Sequence, residues 1–348
     1  MIQTVKGKSI NEIFYQLLDL SRHWVKNVPR RGLVTVDSPG PVVVELTNPR
    51  ARVISITGRG ASLPAQAAET LWVLGGRNDL TYLTHYLPRA PQFSDDGGKT
   101  WHDAYGPRLR DYAGHDQLKA VVEELHDHPD SRRAVMGLLI PDLDHHHFRA
   151  KSFPCNQTLS FMVRNGKLDL VVFVRSQDLL WGMSGVNIFE FTVLQELVSI
   201  LTGIPLGSFF NVANSLHYYA EFEPRMERMR AEPLNDYYAD LEASVSKTKK
   251  IGLDVFDACM KMFFRIEEKI RSGSAFNDVW PQAASTVLMR TPSIISDLMS
   301  IVIIYNMVKY DQLDLASMAV PLIGLLDLRA GMEHWLTKQK KKEKGGDG

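Results

Sequence analysis

The 348-residue chain lacks several features that would assign it at once to a class of proteins. Its two cysteines, Cys155 and Cys259, are too few for a disulfide framework, so we expect a reducing cytoplasm. Lysine plus arginine equals aspartate plus glutamate, at 40 each, which excludes an overall bias toward nucleic acid or membrane surfaces. The N-terminal residues form no apolar signal-peptide core. No apolar run reaches the roughly 18 residues that span a bilayer; Ile294–Val308 comes nearest.

The composition is otherwise that of a globular protein, with 45% hydrophobic and 23% charged residues. β-branched runs predict strands at Val42–Leu46 and Arg52–Thr57. Apolar periodicity predicts helices over residues 8–26, Pro64–Leu74 and His217–Arg230. Because strands and helices do not alternate regularly, an α+β fold is favoured over a doubly wound one.

The character of the sequence changes near Pro233. Residues 1–232 mix strands and helices and hold the reactive side chains, so we expect them to form the catalytic domain. Residues 233–337 are predicted to be a helical segment packed on that domain. Residues 338–348 are rich in lysine and glycine and are predicted to form a disordered basic tail.

Cys155 is the first candidate for chemistry. A lone cysteine is more often a buried structural thiol, and we expect that role for Cys259, which lies in an apolar helix. Cys155 instead follows Pro154 and precedes polar residues at the entrance of a predicted strand, where a side chain can face a cleft. A nucleophilic cysteine must be a thiolate and therefore needs nearby cations.

Arginines at strand ends are the available cations. Arg132 and Arg133 begin one predicted strand and Arg175 ends another, so the three could converge on a phosphate, to which the guanidinium fork is well suited. Arg59, between two glycines, could join them because glycine lets the backbone approach a ligand closely. The alternative for any single arginine is a solvated surface charge.

Glu69 lies in an otherwise mostly apolar helix. It is either on the wet face or buried with a raised pKa, and the second setting would suit acid–base catalysis. His145–His147 are consecutive and converge poorly on one ion, so a polar surface loop is favoured over a metal site. Gly58–Gly60 matches neither spacing of the known phosphate-binding loops.

Taken in order, these residues resemble the thymidylate synthase family, which includes the pyrimidine-nucleotide hydroxymethylases. The matching segments cover roughly residues 40–230: Glu69-Thr70-Leu71-Trp72, Tyr105-Gly106-Pro107-Arg108, Ser131-Arg132-Arg133, Phe153-Pro154-Cys155-Asn156, Arg175-Ser176-Gln177-Asp178, Asn187, and Ser215-Leu216-His217-Tyr218-Tyr219.

The resemblance implies a large mixed sheet packed by helices, a homodimer formed through the sheet face, and 5,10-methylenetetrahydrofolate as co-substrate without a metal. It implies that Cys155 attacks C6 of a pyrimidine nucleotide, that Glu69 relays protons, and that Asp178 holds the folate. The nucleotide is expected to bind Arg175, Ser176, Asn187, His217 and Tyr219, together with Arg132 and Arg133 from across the dimer interface and Arg59.

Departures from the family pattern bear on the product. One extra residue, within Trp181–Val186, separates Arg175 from Asn187, and Asn156 replaces a histidine. Leu87–Gly98 replaces a Trp-rich folate-lining segment, and residues 338–348 replace a short apolar tail that closes over the folate. Both replacements favour access of water to the transferred carbon.

The amide of Asn187 suits uracil. The first prediction is therefore 5-hydroxymethylation of dUMP. Thymidylate synthesis is the second, a dCMP or CMP hydroxymethylase the third, and a catalytically inactive nucleotide- or folate-binding regulator the fourth. A hydroxymethylase would suit a virus, and hence a host cytoplasm, or a pathway that makes modified pyrimidines.

Overall fold

The computed structural model describes residues 2–28, 32–56, 58–233, 236–239, 251–273, 291 and 293–345. It has mixed helices and two sheets, so the predicted α+β fold is confirmed. The strands among these residues are β1 Gln3–Gly7, β2 Val25–Asn27, β3 Thr35–Asp37, β4 Val42–Leu46, β5 Val135–Gly137, β6 Asn156–Arg164, β7 Lys167–Val174, β8 Gln177–Asp178, β9 Leu206–Ala213 and β10 Leu216–Tyr219.

The helices pack around the larger sheet. In the same part of the chain they are α1 Ile10–Leu20, α2 Leu63–Leu74, α3 Leu80–Tyr86, α4 Tyr105–Arg110, α5 Gln117–Asp127, α6 Pro141–Asp144, α7 Val186–Thr202, α8 Glu223–Ala231, α9 Leu253–Arg271, α10 Ser293–Lys309, α11 Leu313–Ala319 and α12 Leu326–Gly345. Ser9 is the N-cap of α1, since its side chain accepts a hydrogen bond from the Glu12 amide.

The larger sheet has six strands in the order β1-β4-β9-β7-β6-β5 and is mixed, with β1–β4 and β9–β7 parallel and the other pairs antiparallel. Helix α7 packs against β7 and β9 on one face. Asn165 and Gly166, both at positive φ, make the tight turn of the β6–β7 hairpin. This hairpin places the beginning of β6 beside the end of β7, and so Cys155 beside Arg175.

The smaller sheet has the order β2-β3-β10-β8. The prediction of a helix over His217–Arg230 is wrong at its start, because residues 216–219 pair with both β3 and β8 as a strand. The helix begins only at Glu223. The parallel pairing of β10 with β8 sets His217 opposite Asp178.

The predicted strand at Arg52–Thr57 is also wrong over residues 52–56, and Thr57 lies outside the described residues. Side chains, and not a neighbouring strand, form hydrogen bonds with the backbone of this segment. The Tyr238 hydroxyl accepts from the Val53 amide at 2.9 Å, and the Asn11 amide group binds both Val53 and Ser55. Extended, apolar backbone therefore forms no ladder here.

The C-terminal helices share the main core. Helix α10 packs on α2, and buried Asn306 bonds to His85 and Tyr86 of α3. The tail was expected to be disordered from Lys338, but helix α12 continues to Gly345, and residues 346–348 lie outside the described residues. The domain boundary near Pro233 stays a prediction.

Among the described residues, Leu179–Thr202 and not Ile294–Val308 is the segment that is long and apolar enough to cross a membrane by length and composition. In the structure 78% of its apolar window is buried within the protein, which is the setting of a core helix. The segment also carries the buried carboxyl groups of Glu190 and Glu196.

Candidate active site

The thiol of Cys155 lies at the entrance of β6, half-buried. Arg175, just past the end of β7, points a guanidinium nitrogen at it, with Nη2 3.5 Å from Sγ. The same guanidinium donates to the carbonyls of Phe153 and Pro154, each at 2.8 Å, and lies over the Phe153 ring. Because three contacts hold the cation in place, it can favour the thiolate without moving.

Tyr105 and Asn156 lie beside the thiol. The Tyr105 hydroxyl accepts hydrogen bonds from the Asn156 backbone amide at 3.2 Å and from its side-chain Nδ2 at 2.8 Å. Burial, followed by the neighbouring Cys155, raises the pKa of Tyr105 well above its ordinary value, so the phenol stays neutral. Asn156, predicted to depart from the family pattern, thus anchors a half-buried phenol close to Cys155.

The sequence left Glu69 either on the wet face of its helix or buried. The structure shows that it is buried. Its Oε2 has no hydrogen-bond partner among the described residues. Burial raises the pKa of Glu69 to about 8, and the nearby Asp103 carboxyl adds to the shift. At neutral pH this side chain therefore carries a proton that it can give to a ligand.

Glu190, on α7, was missed from the sequence. It is 1% exposed, and neither carboxyl oxygen has a partner in the part of the chain that the structure describes. Burial, together with Glu69, raises its pKa well above the ordinary value. A signal was present, since Glu190 is a charge in an otherwise apolar run and lies one helical turn after Asn187.

The segment in which an extra residue is predicted before Asn187 contains a π-helical turn, Leu179–Met183, closed by a 3.1 Å bond from the Ser184 amide to the Leu179 carbonyl. A π turn accommodates one residue more than an α turn, and such turns are frequent at functional sites. Asn187 is half-buried, and its side-chain oxygen lies only 2.9 Å from where a Cβ on Gly182 would stand. Glycine is therefore needed for the amide to keep this position.

Arg59 is buried against the same turn. Its guanidinium donates to the Ser184 hydroxyl at 2.7 Å and to the Leu180 carbonyl. Burial, followed by the charge of Arg225, lowers the pKa of Arg59 to about 10, and Asp178 opposes that shift. In this structure Arg59 braces the segment before Asn187, and its role in phosphate binding stays a prediction.

Asp178 and His217 lie opposite each other on β8 and β10. One oxygen of Asp178 accepts from the amides of Leu180 and Trp181, each at 2.6 Å, and so begins the π turn. Burial lowers the pKa of His217 while the Asp178 charge opposes the shift. The His217 and Tyr219 rings meet edge to face, 5.6 Å apart, so both predicted sugar-binding side chains share one face of the strand.

The structure thus brings predicted residues together in small groups, Cys155 with Arg175 and Asp178 with His217, but not all of them. Ser176 is half-buried between Arg175 and β8. Arg132 and Arg133 are exposed at the start of β5, and neither guanidinium has an ion-pair partner among the described residues. Their assignment to a second subunit's phosphate site stays a prediction.

The loop of Leu87–Gly98 and the histidine loop border a cavity of about 640 Å³. Asp95, Asp96, His102, His147 and Phe148 are among its lining residues. His145–His147 are exposed, as a surface loop predicts, and no three metal-ligating side chains converge among the residues that the structure describes. Cys259 is buried in α9, as expected for a structural thiol.

Comparisons with known proteins agree with this arrangement. The family model for thymidylate synthase matches residues 24–262, a longer span than the motifs alone cover. A deoxyuridylate hydroxymethyltransferase of Bacillus phage SP01 is 36% identical over 228 residues, which are 63% of this chain and 56% of the relative. One of Delftia phage PhiW-14 is 38% identical over 195 residues, 53% of this chain and 54% of the relative.

A thymidylate synthase of Symbiobacterium thermophilum is more distant, 31% identical over 170 residues, which are 44% of this chain and 57% of the relative. The chain thus spans little more than half the length of these three relatives. The family match itself covers more than two thirds of the chain and includes Cys155, Arg175 and His217. The chain belongs to the thymidylate synthase family.

Proposed function

We propose that this protein transfers a one-carbon unit from 5,10-methylenetetrahydrofolate to C5 of dUMP and releases 5-hydroxymethyl-dUMP. The observation that carries the proposal is the Cys155 thiol held 3.5 Å from the Arg175 guanidinium, at the entrance of a strand that also anchors Tyr105. The names of the two phage relatives support uracil as the base and hydroxymethylation as the outcome.

Covalent activation begins at Cys155. C5 of uracil is a poor nucleophile, and addition of the thiolate to C6 makes C5 enolate-like. Arg175 favours the thiolate form that attacks. Glu69, protonated at neutral pH, is proposed to donate a hydrogen bond to the O4 oxygen, where negative charge develops.

The nucleotide is bound by residues around this centre. The Asn187 side chain makes no hydrogen bond within the described chain and is proposed to pair with the O4 and N3–H edge of uracil. His217 and Tyr219 are proposed to hold the 3′-hydroxyl of the sugar, since their rings share one face of β10. The phosphate is assigned to Arg175 and Ser176, with Arg59 and the partner-subunit arginines at positions 132 and 133.

The folate fits beside Asp178. One oxygen of that carboxyl is used by backbone amides, and the other has no bonding partner in the described chain, so it can accept from a pterin N–H. Bound there, the folate supplies the methylene carbon.

A dimer through the larger sheet is also proposed. The face opposite α7 carries Val171, Phe173, Phe210 and Val212, which are half-buried or exposed and adjacent in register. An apolar, flat face of this kind would be covered by a second copy. Arg132 and Arg133, at the edge strand, would then reach the partner's site.

Product analysis tests the reaction. The protein is incubated with methylenetetrahydrofolate and dUMP, dCMP or CMP, and products are identified by mass. We expect 5-hydroxymethyl-dUMP with tetrahydrofolate. A methyl product with dihydrofolate would instead support thymidylate synthesis, the second candidate, which the Symbiobacterium relative's name favours. No product with any nucleotide would support a binding protein.

Cys155→Ser tests the mechanism. The hydroxyl is a far weaker nucleophile than the thiolate, so turnover should fall by more than about 10³-fold while dUMP still binds. Cys259→Ser is the matched control, because that thiol is buried in α9 away from the site, and its turnover should be unchanged. Turnover retained in Cys155→Ser would contradict the mechanism.

A further inference from the structure

Helix α7 brings a second carboxyl group, Glu190, to the site of Glu69. Glu190 is 1% exposed and Glu69 8% exposed. Both oxygens of Glu190 and Oε2 of Glu69 lack hydrogen-bond partners within the described residues. A buried polar group without a partner is costly, so these carboxyl groups contribute nothing to the stability of the fold.

The packing of α2 on α7 fixes this encounter. Gln66 of α2 donates to the Gly185 carbonyl at the start of α7 at 2.8 Å. Glu69 follows Gln66 by three residues and Glu190 follows Asn187 by three, so each glutamate lies one turn along its helix, on the same face as its predecessor. Glu190 therefore lies one turn from the proposed base-binding amide of Asn187, and Glu69 is close enough to Glu190 to add to the rise of its pKa.

We propose that Glu190 and Glu69 together hold the water that becomes the hydroxyl of the product and accept its proton. This inference rests on the proposed function and adds Glu190 as a residue that determines whether water reacts. Glu69 alone could serve proton transfer at the base. Glu190 would supply a second carboxyl group, so that the pair can also accept the proton of the attacking water.

Water adds to the methylene carbon while the nucleotide is still bound to Cys155. After the carbon has been transferred, C5 of the pyrimidine carries an exocyclic methylene, and C6 still carries the Cys155 sulfur. A water oxygen bonds to the methylene carbon, one water proton passes to the carboxyl pair, and the exocyclic double bond shifts its electrons toward C5 and O4. The C6–S bond then breaks, the C5–C6 double bond returns, and Cys155 leaves as thiolate. No oxidant or reductant is consumed.

Charge supports the assignment. Two adjacent carboxyl groups in a buried site do not ionise together. Burial raises the pKa of both groups; Glu69 adds to the shift at Glu190, and Asp103 adds to the shift at Glu69. The pair is therefore protonated at neutral pH, and the member that gives its proton to the departing folate then accepts one from water while the other keeps its hydrogen bond to the substrate.

Glu190→Gln is the test, since the amide keeps the shape but cannot accept the proton. Loss of general-base assistance should lower formation of 5-hydroxymethyl-dUMP by about 10²-fold. The covalent complex with 5-fluoro-dUMP and methylenetetrahydrofolate, which stops before water attacks, should form as in wild type. Added 2-mercaptoethanol, which attacks the exocyclic methylene as a thiolate, should give a thioether whose ratio to the alcohol rises.

Two further variants keep the result interpretable. Glu190→Asp retains a carboxyl and should recover part of the alcohol. Glu267→Gln changes another buried glutamate, which lies in α9 and bonds to Tyr86 of α3 and Arg271 of α9, and it should leave the product ratio unchanged.

Alcohol formation at the wild-type rate in Glu190→Gln would overturn the proposal. So would loss of the fluorinated complex in a folded variant, because Glu190 would then act before water does. If wild type itself yields a methyl product, the proposed function fails, and that result appears before any variant is compared.

Discussion

Helix α7 carries two buried glutamates in opposite settings. Glu196 is 1% exposed and is held by Arg50, whose Nε is 2.9 Å from Oε1, and by buried Arg52. Glu190 is equally buried and has no partner in the described chain. The same helix therefore satisfies one carboxylate with two cations and leaves the other unpaired beside Glu69. Unpaired groups persist where a ligand needs them, so the contrast separates a residue kept for stability from one kept for chemistry.

Removal of Glu196 should have the largest effect on stability. Glu196→Ala leaves Arg52 buried without its carboxylate, and breaking such a pair costs about 3–5 kcal/mol in free energy of unfolding. Urea denaturation at neutral pH measures the change. Turnover per folded molecule should stay near wild type, and a stability loss below about 1 kcal/mol would mean that the pair does not anchor α7.

Raising the pH should destabilise the folded protein through Glu69 of α2. The pKa of Glu69 is about 8 in the folded state against 4.5 as the ordinary value, so the folded protein holds a proton that the unfolded chain releases. Its contribution is complete below pH 4.5 and is lost as the pH rises through about 8, at up to about 1.4 kcal/mol per pH unit. The pKa of Glu190 is also raised, so this residue likewise makes the folded protein less stable as the pH rises.

Glu69→Gln isolates this effect, because the amide does not titrate. Urea denaturation of wild type and variant between about pH 5 and pH 8 should show a smaller decline in the variant. Parallel pH profiles would mean that Glu69 titrates near its ordinary value and that the cleft does not raise its pKa.

The smallest expected effect is a gain in the free energy of unfolding. Glu190→Met replaces an unpaired carboxyl with an apolar side chain of similar length, which should raise the free energy of unfolding by about 1 kcal/mol. The melting temperature and the formation of hydroxymethyl product are measured on the same sample, and the product should be lost. A destabilised variant would contradict the view that Glu190 serves the site at the expense of the fold.

Much of this organisation could be predicted from the sequence. The β6–β7 hairpin follows from Asn165-Gly166 between two apolar runs, and that hairpin alone brings Cys155 to Arg175. The predictions failed where side chains or distant strands decide the backbone. Val53 lies in extended chain bonded by Tyr238, and His217 lies in a strand because β3 and β8 meet there.

The candidate site divides in the same way. The motif residues Cys155 and Glu69 could be found because their types and order carry chemistry. Glu190 could not be found in this way, because its proposed role depends on the packing of α2 on α7, which no local sequence pattern encodes. The role of the extra residue before Asn187 likewise emerged only as a π turn in three dimensions.

The most direct test is whether the hydroxyl oxygen of the product comes from water. Wild-type protein is incubated with dUMP and methylenetetrahydrofolate in water labelled with heavy oxygen, and the nucleotide product is analysed by mass spectrometry. The account predicts 5-hydroxymethyl-dUMP carrying the heavy oxygen in its new hydroxyl, with tetrahydrofolate formed in equal amount. A methyl product without heavy oxygen, accompanied by dihydrofolate, would contradict it.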